Sequence, residues 1–393
     1  MKRSALVLSI LFALSLGLTH AVDFGIIVDQ SAGVGGLADN GEAEYTADLI
    51  PRFSSPIGDY GDFYVSASLA FGVGDDIITF VPELLRTEFS WLFSFGELSA
   101  GRIYYTDPLG FIANGLFDGA RVSVYTQAGT FSAGAWYTGL LYKRRAGIAM
   151  TEKEMEAYAS DPDIKDLTNT YFAPKRFVTA LGWEHLSLGG PLQVRAAALA
   201  QFDLSGGLHS QYVVGRATLP LSFLTVDLGA CLELIQNEGT FGIAGAIELG
   251  VQAPLPTPFQ DRLSFTARYS SGGKDTAFLP LTTQTQGDIL KAKLSGLSLL
   301  SLDYTARFLP SLSAGVSTTY FIRSDLETYT AYPLTGDSDG YFLGEEFFAR
   351  LMWNPFSDMQ INLGGGVFLP SLGNAAPDSA AAWRVELNLV LSF

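Results

Sequence analysis

Apolar and polar positions alternate with a period of two through most of the chain. In the last eleven residues Trp383, Val385, Leu387, Leu389, Leu391 and Phe393 alternate with Arg384, Glu386, Asn388 and Ser392, only Val390 departing from the pattern. Successive side chains of an extended chain point to opposite faces, so this segment has one oily face and one charged face. The same division predicts eighteen strands, at roughly 23–33, 43–54, 61–72, 79–93, 96–106, 118–127, 130–142, 176–187, 191–204, 210–221, 223–235, 240–252, 261–270, 296–308, 311–323, 342–353, 358–368 and 382–393. Tight turns follow most even-numbered strands, at Ser94-Phe95, Ala128-Gly129, Leu188-Gly189-Gly190, Ser222, Leu309-Pro310 and 354–357. The links after the second and twelfth strands are longer and fit less well, whereas the long stretches 143–175, 271–295 and 324–341 all follow odd-numbered strands. Short turns at one end and long loops at the other are the plan of an outer-membrane barrel. The expected fold is an all-β, transmembrane, antiparallel up-and-down β-barrel of eighteen strands with both termini periplasmic. Sixteen is the alternative count, because residues 288–294 read as either a short strand or loop and Pro82 would delay the start of the fourth strand.

The N-terminus agrees with export. Lys2 and Arg3, an apolar run over 5–18 and the small-residue site Thr19-His20-Ala21 read as a secretory signal peptide, residues 1–21, leaving 22–393 as one barrel domain. No later segment has the roughly 18 continuous apolar residues of a membrane helix. A chain that is 48% hydrophobic and exported without such a helix hides its apolar surface in a core or shows it to lipid through closed strands. Phe 28, Tyr 17 and Gly 42 against one cysteine describe strands that do not depend on disulfides, with Cys231 a packed wall residue. The net charge of −16, or −18 once Lys2 and Arg3 are removed, disfavours nucleic acid as a partner.

Strand parity sorts the charges. On the fourteenth strand Leu300, Leu302, Tyr304, Ala306 and Phe308 oppose Ser301, Asp303, Thr305 and Arg307; on the ninth, Val194 to Phe202 oppose Arg195, Gln201 and Asp203. Carried around the barrel, parity turns Arg52, Arg86, Arg102, Arg121, Arg176, Arg195, Arg216, Arg262, Arg268, Arg307, Arg323, Arg350 and Arg384 inward, together with Asp48, Glu88, Glu184, Asp203, Asp227, Glu233, Glu248, Asp303, Glu346 and Glu386. Burying so many ions unpaired would cost several kcal/mol each, so the interior is wet or densely paired. Single pairs can simply brace the wall. As a set, the arginines offer permanently charged planar forks suited to carboxylate or phosphate, and a ladder of such forks can hand an anion along. The interior acids nearly balance them, which puts the excess negative charge in loops and leaves ion selectivity open.

Aromatics gather near strand ends: Trp91 and Phe93, Tyr104 and Tyr105, Trp183, Phe202, Tyr269, Tyr320, Trp353 with Phe356, and Phe393. Tyr and Trp favour the headgroup zone of a membrane. Residues 105–117, with Asp107-Pro108-Leu109-Gly110-Phe111-Ile112-Ala113-Asn114-Gly115, are unusually apolar for an exposed loop and would be better placed inside the lumen as a constriction. Thr151-Glu152-Lys153-Glu154 reads as a capping box opening a short helix through Tyr158, expected on the outer surface. The loop 272–285, carrying Ala277-Phe278-Leu279-Pro280, could sit in either place. Enzyme chemistry finds no footing. His185 and His209 lack a nucleophile and acid beside them, the run Gly364-Gly365-Gly366 lies in a strand where it suits close approach, and Asp337-Ser338-Asp339-Gly340 lacks the later bidentate acid of a calcium loop. No cofactor or metal is implied.

The signal peptide, the strand pattern, the alternating connection lengths and Phe393 resemble the outer-membrane porins of diderm bacteria. That resemblance implies an outer-membrane location, lipid as surroundings, and Phe393 as the signal read by the barrel-assembly machinery. Within that class, Gly101-Arg102, Asp107 and Phe117-Asp118-Gly119-Ala120-Arg121 are similar to alginate-export-type barrels and to eighteen-stranded substrate-specific porins, whose pattern carries over to Arg102 and Arg121. The function expected is a porin or facilitated-diffusion channel for small hydrophilic solutes, carboxylates among them. The alternatives are a transporter of amphiphilic acids, whose N-terminal plug has no room before Asp23, and a structural or adhesive barrel with a closed lumen.

Overall fold

The computed structural model describes residues 22–38, 40–74, 77–160, 162, 166–237, 239–334 and 338–393; the expected signal peptide and Asp337 lie outside the described residues. Its strands are β1 (Asp23–Leu37), β2 (Asn40–Ile57), β3 (Gly61–Gly74), β4 (Ile77–Phe93), β5 (Gly96–Thr106), β6 (Asn114–Thr126), β7 (Gly129–Tyr137), β8 (Arg176–His185) and β9 (Gln193–Asp203), followed by β10 (Leu208–Pro220), β11 (Thr225–Asn237), β12 (Thr240–Pro254), β13 (Arg262–Ser270), β14 (Leu297–Leu309), β15 (Leu312–Arg323), β16 (Phe342–Phe356), β17 (Met359–Leu369) and β18 (Ala382–Ser392). Each pairs antiparallel with the next, and β18 pairs with β1 from Ile27↔Ser392 to Leu37↔Ala382, so the sheet closes on itself. Closure removes the unpaired edges that an open sheet of this size would expose. At the seam Phe393 exchanges backbone hydrogen bonds with Ile26 at 2.9 and 2.8 Å.

Every strand legible in the sequence is present, with shifted ends. Because β2 runs on to Ile57, the link to β3 shrinks to residues 58–60, while 255–261 remains the longer turn between β12 and β13. The seventh strand stops at Tyr137, short of the expected 142. Residues 288–294 contribute only an isolated bridge, Gln286↔Ala292, so they add no stave. Pro82 does not delay β4. It pairs with Leu69 on β3, but pairing with β5 ends at Thr87, which leaves the start of β4 as a local edge where proline is tolerated.

Outward positions such as Val213 (64% exposed), Leu302 (44%) and Leu387 (48%) form the apolar skin. Of the strand-end aromatics, Trp353, Phe356, Tyr269 and Tyr104 are exposed. Tyr105 is not, and corrects the expectation: it is buried with its ring centroid 4.6 Å from that of Trp136. A Cβ on Gly134 would lie 2.2 Å from the Trp136 ring, so that glycine is the floor on which the indole rests. Gly134→Val is expected to displace Trp136 and lower unfolding stability by about 1–3 kcal/mol, read as an earlier urea midpoint. Gly364 plays a similar part, the Phe348 ring lying over it, while the close backbone approach expected at that glycine run is present at Gly366, against the Phe347 carbonyl oxygen.

Candidate functional site

The interior is shaped by three connections that turn into the barrel. The first is the β5–β6 hairpin. Pairing of β3 with β4 continues to Gly74↔Ile77, but β4 follows β5 only to Thr87↔Arg102, whereas β5 and β6 stay paired to Thr106↔Asn114. The upper hairpin has therefore left the wall. Gly101 makes the bend with φ +115°, and a Cβ there would lie 2.1 Å from the Thr87 carbonyl oxygen. Beyond the bend the tip crosses to the far wall: Leu109 lies where a Cβ on Gly229 of β11 would be, and the Phe111 ring lies 4.5 Å from the Arg268 guanidinium carbon of β13. Asp107 ties the tip by accepting hydrogen bonds from the backbone N–H groups of Leu109, Gly110, Ile112 and Ala113 at 2.8–3.1 Å. Burial pushes its carboxyl above the usual carboxylate range, and those four donors oppose the rise.

The second is 138–175, expected outside. The capping box at Thr151 and the helix Glu152–Ala159 are present. However, Ile148 and Met150 are buried beside Phe111 and Ile112 in one apolar cluster, and Glu154 also reaches Arg176 on β8 at 2.6 Å. Arg145 extends to Glu83 of β4 at 3.1 Å and Asp48 of β2 at 3.6 Å. The helix itself buries no residue, so it is the segment before it, through Ile148 and Met150, that turns inward. The third is 271–296. Phe278 is fully buried against Phe111, and the Leu279 N–H donates to Glu233 at 2.8 Å while its carbonyl accepts from the Tyr212 hydroxyl at 2.6 Å. Further on, the N–H groups of Asp288, Ile289 and Leu290 all donate to Glu346 of β16, at 2.7, 3.0 and 2.9 Å.

These loops divide the residues that parity turned inward. Some are consumed as anchors. Arg102 is only 6% exposed and shares its register face with Thr87 and Asp118, opposite to that of Glu88, Ser99 and Arg121. It grips both carboxylate oxygens of Asp118 at 2.8 and 2.9 Å and donates to the carbonyls of Leu84 and Leu140. The expectation that it lines the pore is therefore corrected: the β5–β6 register puts it on the face behind the hairpin. Arg176 is fully buried between Glu154, Asp203 and Gln201, and Arg323 holds the carbonyls of Gly340, Leu326 and Ser338. Glu233 and Glu346 face inward but are covered by the loop they hold. Asp203 caps the β9–β10 turn at Ser205 and Gly206. Strand parity cannot see any of this, because it says which way a side chain points and not what later folds over it.

Others form braces along the wall. Arg195 and Arg216 are direct cross-strand partners, and the row continues as Glu184–Arg195 at 2.7 Å, Arg216–Asp227 at 3.2 Å and Arg268–Glu248. Arg86–Glu88, Arg350–Asp303 at 3.4 Å, and Arg384 with Glu44 and Glu386 complete the set. Arg350 is half exposed, as is Arg195, and Arg307 and Arg262 are exposed near the short-turn end. Among the described residues, Arg52, Arg121 and Arg262 have neither ion pair nor hydrogen bond from the guanidinium. The interior is thus both wet and densely paired. A ladder of free forks is not what it presents; it presents mostly compensated pairs with a few unpaired arginines among them.

No family model matches the chain, and no curated protein matches it in sequence. Solved structures do match its fold. Pseudomonas aeruginosa OccK2 (OpdF) aligns with a TM-score of 0.64 at 12% identity over 95% of this chain and 98% of that one, and the same protein in complex with glucuronate gives 0.65 at 13% over the same shares. Pseudomonas aeruginosa OccK5 (OpdH) gives 0.62 at 13%, covering 94% and 98%. At such identities the likeness concerns the fold alone, here a closed barrel of eighteen antiparallel strands.

Proposed function

We propose that the protein is an outer-membrane diffusion channel for small hydrophilic solutes, with carboxylate-bearing molecules among those it passes. The carrying observation is a barrel with an apolar skin whose loops narrow the interior while Arg350, Asp303, Glu386 and Thr305 stay open to water inside it. A wall residue facing lipid could not keep these charges, and a sealed core could not hydrate them. The long loops then lie outside the cell and both termini in the periplasm. One of the barrels it resembles in fold has been solved in complex with glucuronate, which supports an acidic sugar as a first solute to try.

Refolded protein in a planar bilayer is expected to give steady single-channel conductance that glucuronate reduces. Silence from a barrel with intact heat-modifiable mobility would overturn the channel reading. For the carboxylate part, replacing Arg121, Arg350 and Arg384 by Ala is expected to move the reversal potential in a KCl gradient toward cation selectivity. An unmoved potential would remove the arginines from selectivity while leaving the channel in place.

A further inference from the structure

We propose that the barrel has a lateral portal: a seam between the upper part of β4 and the stem of the second loop, through which a single-chain amphiphile with an acidic head passes between the lumen and the outer lipid leaflet. The seam is where a ladder is missing. Pairing of β4 with β5 ends at Thr87↔Arg102, and among the described residues no strand takes the place of β5 along Ile77–Arg86, although β3 stays paired to Gly74↔Ile77 on the other side. Across the opening stands the stem of the second loop, where Tyr142 and Phe172 form an isolated bridge and the Ala173 N–H donates to the Leu141 carbonyl at 2.9 Å. At β12, which also outruns its partner, Ser271 carries the edge on by donating its N–H to the Gly245 carbonyl at 2.9 Å. Beside β4 the crossing is made by side chains.

Arg102 donates to the Leu84 carbonyl on one lip and, at 3.0 Å, to the Leu140 carbonyl on the other. The Tyr171 hydroxyl donates to the Pro82 carbonyl at 2.7 Å, and Arg145 reaches Glu83 at 3.1 Å. Lipid could not supply these bonds: at hydrocarbon depth a strand edge must have its polar groups satisfied by the protein, and Pro82 has no N–H to leave over. The depth follows from strand geometry. At about 2.5 Å of height per residue for a strand tilted by about 40°, Thr87 stands roughly 15 Å and Pro82 roughly 28 Å above the short-turn end of β4, against an apolar band about 25 Å tall. The seam thus runs through the outer half of the band. Its lips are apolar and exposed, with Leu84 at 45%, Leu140 at 55% and Phe172 at 38%, whereas Val81 and Glu83 on the opposite face of β4 are buried. A ladder parts only when many rungs break together, but these clasps exchange one side chain at a time. When the lips part, Arg102 keeps its grip on Asp118 and frees two N–H donors, which a carboxylate arriving from the lumen accepts while its tail lies between Leu84 and Leu140.

The test uses single cysteines in a Cys231→Ser background, the chain having no other cysteine. Val81→Cys puts a thiol behind the seam, and Ser301→Cys puts one behind unbroken ladder, β14 being paired there on both sides. Barrels refolded in phosphatidylcholine vesicles are exposed to a phospholipid carrying a maleimide at the end of one acyl chain, and labelling is followed by mass. The Val81→Cys thiol is expected to react at least about tenfold faster than the Ser301→Cys thiol, and adding Tyr171→Phe, which removes one clasp, to raise its rate about threefold. Equal rates at the two thiols would overturn the seam. For the acidic head, dodecanoic acid with a photoreactive diazirine in its chain is expected to attach within 80–84 and 138–142 at least about fivefold more than its methyl ester. Equal yields would overturn the choice of an acid. Conductance of the same variants judges the channel reading separately, because a silent barrel that labels in the expected order keeps the portal and rejects the channel. Heat-modifiable mobility of each variant confirms that the barrel has formed.

Discussion

Arg102→Ala is expected to raise single-channel conductance and destabilise the barrel together. Its side chain is the clamp at the point where the β5–β6 hairpin leaves the wall, and removing it leaves the Asp118 carboxylate and the carbonyls of Leu84 and Leu140 without their donor. Breaking a largely buried charged pair from one side costs on the order of 3 kcal/mol. The apolar tip, with Leu109, Phe111 and Ile112, then loses its fixed exit angle and its register across the lumen. Arg102→Lys should recover little, because one ammonium cannot span both Asp118 oxygens and two carbonyls. Conductance equal to the parent protein, with an unchanged urea midpoint, would remove Arg102 from control of the constriction. A pore-lining arginine behaves differently: its loss moves the reversal potential and leaves stability alone.

The second large effect is expected at Glu346. Replacing it by Ala strands the N–H groups of Asp288, Ile289 and Leu290, each costing about 1–3 kcal/mol if it stays buried and unpaired. The turn escapes that penalty by moving into the lumen water, so the expected signature is frequent fluctuation between conductance levels with the barrel intact. Gly287→Ala reaches the same end without changing charge: Gly287 has φ +82°, and a Cβ there would lie 2.8 Å from a Glu346 carboxylate oxygen. If both variants conduct as steadily as the parent, the carboxylate is no tether. Because Asp288 faces Glu386 and Asp303, Asp288→Asn should quieten the fluctuations by relieving like-charge repulsion.

How much of this was legible can be read from particular residues. The terminal strand from Trp383 onward announces both faces, since lipid outside and water inside act on every second side chain, and the same two-residue signal recurs in each stave. Parity also put Arg195 with Arg216, and Arg350 with Glu386, on shared register faces, as the pairing has them. The inward reading of Arg102 was wrong, because the unbroken β5–β6 register puts it with Asp118 on the face opposite Ser99 and Arg121. Parity was silent on Glu233 and Glu346, which point inward as expected but are hydrogen-bonded to a loop more than forty residues away in sequence. The capping box at Thr151 is a local pattern and was read locally; that its Glu154 would also hold Arg176 required two segments to meet.

The sequence by itself therefore determined the barrel: the antiparallel order of the staves, the skin and the charged interior, all consequences of a period-two pattern interrupted by turns, while the choice of eighteen staves over sixteen waited for the pairing of 77–93 and 286–292. It also marked 105–117 as too apolar for an exposed loop. Only the tertiary structure decided which of the inward charges remain open to water, because that depends on where three long loops come to rest. Their resting places are set by contacts between residues far apart in the chain, such as Leu109 on Gly229 and Asp288 beside Glu346, and no local periodicity records those.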